Sequence, residues 1–210
     1  MCGRFYVDEG TAKEIERVIR GIDLRIQKMR TGDIYPSQPA GILTCHSRQK
    51  EPLAPDLVTP NAPAFELKEM HWGFPQYQKK GLLINARAET ALERRTFCDS
   101  VRYRRCIIPA KHFYEWDSDK NKVTFFRDDR PILFMAGFYN RFQNEERFMI
   151  LTTQANASVS PVHNRMPVVL DESELEDWVY DDKFTEYALH KIPPKLWRKQ
   201  EYEQQSLFLT

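Results

Sequence analysis

The chain has 210 residues with 31 basic and 30 acidic side chains, a net charge of +1, so no whole-molecule field exists to hold a polyanion and any nucleic-acid contact must come from a local patch. Its 41% hydrophobic and 29% charged residues exclude a disordered chain and suit one globular domain with a sizeable core. No apolar run approaches ~18 residues and the start lacks a signal-peptide pattern, so the expected setting is the cytoplasm, where thiols stay reduced.

The first predicted element is a helix over 11–22, with Thr11 and Glu14 as a capping box, Ile15, Val18, Ile19 and Ile22 on one face, and Gly21 near its end. A Pro-punctuated stretch, DIYPSQPAG, leads into short β-rich runs: GILTCH, AFELKEM, LLINAR, CIIPA, HFYEW, VTFFR, PILFMAGFY and RFMILTT. Two helices follow, one capped by Asp171 with Leu175, Trp178 and Val179 on a face, the other running from about Asp182 to His190. The pattern predicts an α+β fold, a single domain whose mostly antiparallel, barrel-like β-sheet core is flanked by a few helices. Pro193 and Pro194 set the expected boundary between a domain over 1–195 and a polar C-terminal segment over 196–210.

The four cysteines contain no C-x-x-C pair, which argues against a zinc ribbon or a thioredoxin-like site, and no metal or other cofactor is expected. Cys45 and Cys106 lie in strand-like runs and read as small buried hydrophobes. Cys2, in MCGRF, differs: if Met1 is removed it carries a free α-amine and a thiol on adjacent carbons.

Other polar residues sit in or beside apolar runs, where an unpaired polar group is costly. Asn85 in LLINARAET is one, and Glu115 in HFYEW is another. Aromatic surroundings would raise the carboxyl pKa and suit acid/base work, although the strand pattern alone slightly favours a solvent-facing Glu115. His163, in the Pro-bounded loop SPVHNRMPVVL, could shuttle protons or be merely solvated. Arg4, Arg87 and Arg165 recur beside these positions, and Arg94, Arg95, Arg102, Arg104 and Arg105 form a cluster that reads evenly as phosphate-binding or as an ordinary solvated face. Trp72 and Trp116 are candidate base-stacking platforms.

The ordered set MCGRF, HWGF, INARAET, IIPAKHFYEW, ILTTQAN and PVHNRMPVVL, spread over residues 2–190, closely resembles the SRAP family, the SOS response-associated peptidase-like proteins that shield abasic sites in single-stranded DNA. The resemblance implies that Cys2 is the cross-linking residue, with Asn85, Glu115 and His163 as its active-site partners. It further implies that Arg4, Arg87 and Arg165 bind phosphates and that Trp72 and Trp116 line the DNA cleft. Single-stranded DNA is the implied partner, the protein acting as a monomer that is cytoplasmic and nucleoid-associated when bound.

The chemistry agrees with that implication. An α-amine of reference pKa ~7.7–8.0 is substantially unprotonated at neutral pH and can form a Schiff base with the open aldehyde of an abasic sugar, after which the thiol can close a thiazolidine. A cysteine peptidase using Cys2 and His163 stays open as an alternative, as does a non-covalent reader of nucleic acid. A zinc deaminase is disfavoured, since the His-to-Glu spacing in HFYEW is wrong and no P-C-x-x-C follows. In the tail, Gln204–Phe208 (QQSLF) is similar to a sliding-clamp-binding peptide, with Leu207 and Phe208 folding back onto the protein as the competing reading.

Overall fold

The computed structural model describes residues 2–19, 29–45 and 65–200. The N-terminal part runs β1 (Phe5–Val7), α1 (Glu9–Val18), β2 (Gly32–Ile34), β3 (Pro39–Thr44), β4 (Glu66–Trp72), β5 (Phe74–Pro75), β6 (Leu82–Leu83) and β7 (Asn85–Arg87). It continues through α2 (Cys98–Tyr103), β8 (Arg105–Ala110), β9 (His112–Trp116), β10 (Lys122–Phe126), β11 (Leu133–Phe142) and β12 (Glu145–Gln154). The chain then forms β13 (Arg165–Pro167), β14 (Val169–Leu170), α3 (Leu175–Tyr180), α4 (Asp182–His190) and β15 (Trp197–Gln200).

Strands β12, β4, β3, β8 and β11 pair in that order, and β11 pairs back with β12, which closes a five-stranded ring. Closure depends on Gly137, between β8 and β12 in the ladder, where an added Cβ would lie 2.4 Å from both the Met149 carbonyl and Ile108. Strand β8 is buried along its whole length because alternate residues serve different cores: Ile107 joins the cluster shared with α3 and α4, while Cys106, Ile108 and Ala110 join the cluster shared with the second sheet. That second sheet is five-stranded, in the order β15-β10-β9-β1-β2, with Phe5, Phe113, Val123 and Phe125 on its buried face. Pairing is antiparallel throughout the described strands except where β12 runs parallel to β4 and to β7. The α+β, barrel-like expectation holds.

Helix α1 begins earlier than its expected start at residue 11. Asp8 is the cap: its carboxylate accepts from the Thr11 backbone N–H at 2.9 Å and its own N–H donates to the Thr11 hydroxyl at 3.2 Å, so Thr11 fills the third position of the box rather than the cap. Gly21 and Ile22 lie outside the described residues. Helix α4 spans the expected residues, and α3 follows a short 3₁₀ turn over Glu172–Glu174 capped by Asp171. Strand β15 pairs along β10 from Val123↔Gln200 to Phe126↔Trp197, so residues 197–200 complete the second sheet, whereas the domain was expected to end at 195. Gln204–Phe208 lies outside the described residues. No helix among the described residues is long and apolar enough to cross a membrane.

Candidate active site

Cys2 lies just ahead of β1, which pairs with β9 through Phe5↔Phe113. The Tyr114 N–H donates to the Arg4 carbonyl at 3.0 Å, extending that pairing toward Cys2 and bringing along the next residue of β9, Glu115. Cys2 is completely buried and belongs to the core cluster that also holds Phe5, Trp72, Phe148 and Ile150. Asn85 arrives from the other layer, because parallel pairing sets it beside Ile150 of β12, and its Nδ2 donates to the Cys2 carbonyl at 2.8 Å. Its Oδ1 is buried and has no hydrogen-bond partner among the described residues.

Glu115 is 2% exposed, and its Oε1 lies 3.9 Å from Nδ1 of His163. The strand pattern that slightly favoured a solvent-facing Glu115 is thus corrected: β9 turns Phe113 and Glu115 inward together, leaving the next residue, Trp116, outside. Burial raises the Glu115 carboxyl, against the pull of the nearby His163. The Cys2 thiol is pushed well above the usual thiol range, first by burial and then by the negative charge of Glu115, and its Sγ contacts the Arg4 carbonyl at 3.8 Å. A thiol so placed is held protonated.

His163 sits at the end of a turn in which its N–H donates to the Val159 carbonyl at 3.1 Å. His163 Nδ1 lies 3.0 Å from the Arg165 backbone nitrogen and 3.2 Å from the Arg165 carbonyl oxygen, so this one residue's backbone can meet either tautomer of the ring. Asn156 ties this turn to the body, donating through Nδ2 to the carbonyls of Pro193 and Pro194 at 2.9 and 3.1 Å.

Two of the candidate phosphate-binding arginines are already engaged. Arg4 is ion-paired with Asp33 and lies over the rings of Tyr35 and Tyr114, 5.0 and 4.7 Å from their centroids; the pairing lowers the Asp33 carboxyl pKa. Arg165 is gripped by both oxygens of Glu89 at 2.7 and 2.8 Å and donates to the Thr152 carbonyl at 2.5 Å. Arg87 is exposed. Nothing in the sequence marks Asp33 or Glu89 as a partner of these arginines, although Glu89 stands inside INARAET. Among the described residues no three His, Cys, Asp or Glu side chains come together in a way that could hold a metal.

The two tryptophans part company. Trp116 is 39% exposed. Trp72 is fully buried beside Phe5 and Phe148, and its indole N–H donates to the Ile84 carbonyl at 2.9 Å, so it presents no face to DNA and is corrected to a core residue. The arginine cluster divides in the same way. Arg94, Arg95 and Arg102 are exposed, whereas Arg105 is buried and donates to the carbonyls of Trp178, Val101, Arg102 and Val179 and to Asp182.

Comparison with known proteins adds three findings. The family model for the SOS response associated peptidase (SRAP) matches residues 1–205. The chain is 33% identical over 127 residues to the abasic site processing protein YoaM of Bacillus subtilis, covering 54% of this chain and 56% of that protein. It is 33% identical over 121 residues to the abasic site processing protein YedK of Escherichia coli, covering 54% of each. The aligned stretch thus spans about half the length of these curated relatives. Solved structures from Bordetella bronchiseptica (TM-score 0.74, 21% identity, 96% of this chain and 100% of that one) and Bacteroides thetaiotaomicron (TM-score 0.71, 22% identity, 95% and 91%) share the fold.

Proposed function

Because the chain belongs to the SRAP family, we propose that it processes abasic sites in single-stranded DNA by forming a covalent thiazolidine through Cys2, shielding the lesion at replication forks. The observation that carries this reading is the convergence on one residue: Asn85 on the Cys2 carbonyl, Glu115 close enough to perturb the Cys2 thiol, and His163 beside Glu115.

The reaction begins with hydrolysis of the Met1–Cys2 amide, by the protein itself or by an aminopeptidase, which consumes one water and frees the α-amine. The amine adds to the C1′ aldehyde of the open sugar, and loss of water gives the imine. The thiol then adds across the C=N bond, sulfur to carbon and its proton to nitrogen, closing the ring. Ring closure removes the imine through which β-elimination would cut the strand. The raised Cys2 thiol supports this order, since an uncharged S–H is a poor first nucleophile while an amine is not. Glu115, its carboxyl pKa raised by burial, supplies a proton to the sugar ring oxygen as the hemiacetal opens. His163 moves protons during loss of water and its reversal, and Asn85 fixes the backbone that bears the amine. Exposed Trp116 and Arg87 hold the flanking nucleotides without reading their sequence, and Arg4 and Arg165 join them by exchanging Asp33 and Glu89 for phosphate oxygens.

A peptidase acting on other proteins is the weaker reading. It needs a thiolate paired with an imidazole, but Cys2 is pushed toward the thiol form and its sulfur contacts the Arg4 carbonyl. Intact mass spectrometry after mixing the protein with an abasic oligonucleotide tests the proposal. The expected product is protein lacking Met1 plus DNA, less one water, stable to denaturation. Absence of that adduct, its persistence in Cys2→Ala, or its formation after acetylation of the α-amine would each defeat the mechanism. Gln204–Phe208 carries the glutamine and Leu-Phe anchors of a clamp peptide, and we extend the proposal to a sliding-clamp partner. Clamp binding that survives Leu207→Ala with Phe208→Ala, or no binding at all, removes this extension.

A further inference from the structure

The second sheet has a solvent face as well as a buried one. Tyr6 and His112 stand opposite each other across β1 and β9, and a row from Tyr114 through Thr124 to Lys199 crosses β9, β10 and β15. Together with the 127–131 turn these residues enclose a cleft of about 810 Å³. Its floor is aromatic: the Tyr6 and His112 rings are stacked at 4.8 Å and 2°, the Tyr114 ring lies edge-on to His112 at 4.9 Å, and His112 Nε2 is 2.8 Å from the Tyr114 hydroxyl. Burial lowers the His112 pKa, favouring the neutral ring in this stack. The walls carry four cations, Lys111, Arg127, Arg130 and Lys199, against the two acids Asp128 and Asp129. Arg127 is committed to Asp129 and Asp171, Lys111 to Asp8, and Arg130 lies 3.6 Å from Glu172, whereas Lys199 is exposed on the edge strand.

The cleft is linked to the Cys2 site by direct contacts. Tyr114 lines it, Arg4 lies over the Tyr114 ring at 4.7 Å, and the Arg4 carbonyl meets the Cys2 thiol. Flat rings beside the exposed Lys199 suit a chain that offers both π-faces and phosphates; an acidic peptide would use the lysine and leave the stacked pair idle. We infer that this cleft holds an intact single-stranded segment of nucleic acid next to the reacting nucleotide, with bases on the Tyr6–His112 floor and a phosphate at Lys199. The location next to a reacting nucleotide rests on the proposed abasic-site activity; binding of intact strand does not.

The test uses processed full-length Cys2→Ala protein, so that nothing is trapped covalently, with labelled intact oligo-dT of about 6 and about 12 nucleotides. Tyr6→Ala with His112→Ala is expected to weaken binding at least ~5-fold, the loss of roughly one stacked base. Lys199→Glu, an exposed edge-strand change that keeps the fold, is expected to lower the slope of log affinity against log salt by about 0.7. Unchanged affinity and slope in both variants would overturn the inference, as would equal competition by polyglutamate. Parent protein that forms abasic adducts but ignores intact DNA defeats this inference and leaves the abasic-site reading standing. Parent protein that binds intact DNA through the cleft yet forms no adduct does the reverse.

Discussion

Replacing Asn85 separates two ways in which an amide could serve this site. Its Nδ2 donates to the Cys2 carbonyl at 2.8 Å, while its Oδ1 faces the interior with no partner among the described residues. Asn85→Ala deletes a neutral hydrogen bond and strands a carbonyl acceptor, a loss of about 1–3 kcal/mol. Expressed entirely in the positioning of the Cys2 amine, this slows adduct formation roughly 5- to 150-fold. Asn85→Asp is the sharper variant. At about pH 8 its carboxylate cannot donate and sets one acceptor against another, so it is expected to be slower than alanine. Were the oxygen the working end, holding the amine, aspartate would keep that function and outperform alanine. The assay is single-turnover adduct formation on denaturing gels with saturating abasic DNA, alongside affinity for intact oligonucleotide to confirm that binding is unchanged. Wild-type rates in Asn85→Ala, or a faster Asn85→Asp than Asn85→Ala, would refute the donor role.

Glu115 makes a prediction about stability as well as activity. Its folded pKa is raised by burial above the unfolded value of ~4.3, so between those two values the folded state keeps a proton that the unfolded chain releases, and stability falls as pH rises through that window. Glu115→Gln should flatten this part of the stability curve, melt higher at neutral pH and form adducts more slowly; identical pH slopes in the two proteins would show that the carboxyl is not perturbed. Trp72→Phe should cost about 1–3 kcal/mol, from the lost bond to the Ile84 carbonyl and the cavity left behind, with DNA affinity unchanged. A DNA-binding defect without loss of stability would restore Trp72 to the cleft. Arg105→Met strands four backbone carbonyls and should cost at least ~3 kcal/mol, a drop of about 6–12 °C in melting temperature, again with DNA affinity intact. Weakened DNA binding in a fully stable variant would return it to the phosphate-binding set.

The long strands were legible because each residue type answers to burial on one face or both. The apolar run at 106–110 can be little else, whereas the three-residue strands β1 and β2 are too short to carry a period. Site residues could be recognised by type, as polar groups in apolar runs, but their orientation depends on partners far along the chain. Glu115 faces inward because Phe113 on the same side of β9 packs under Phe125. Trp72 and Arg105 show the limit from the other side: an indole and a guanidinium fit a nucleic-acid surface and a core equally well until carbonyls 12 and 73 residues away claim their N–H groups. What sequence reasoning could not supply for Cys2 is the consequence of its surroundings. Complete burial, and then the charge of Glu115, raise the Cys2 thiol, which makes the cysteine a weaker simple nucleophile. In the proposed mechanism the chemistry therefore starts from nitrogen, and it begins only when the bond between Met1 and Cys2 is cut.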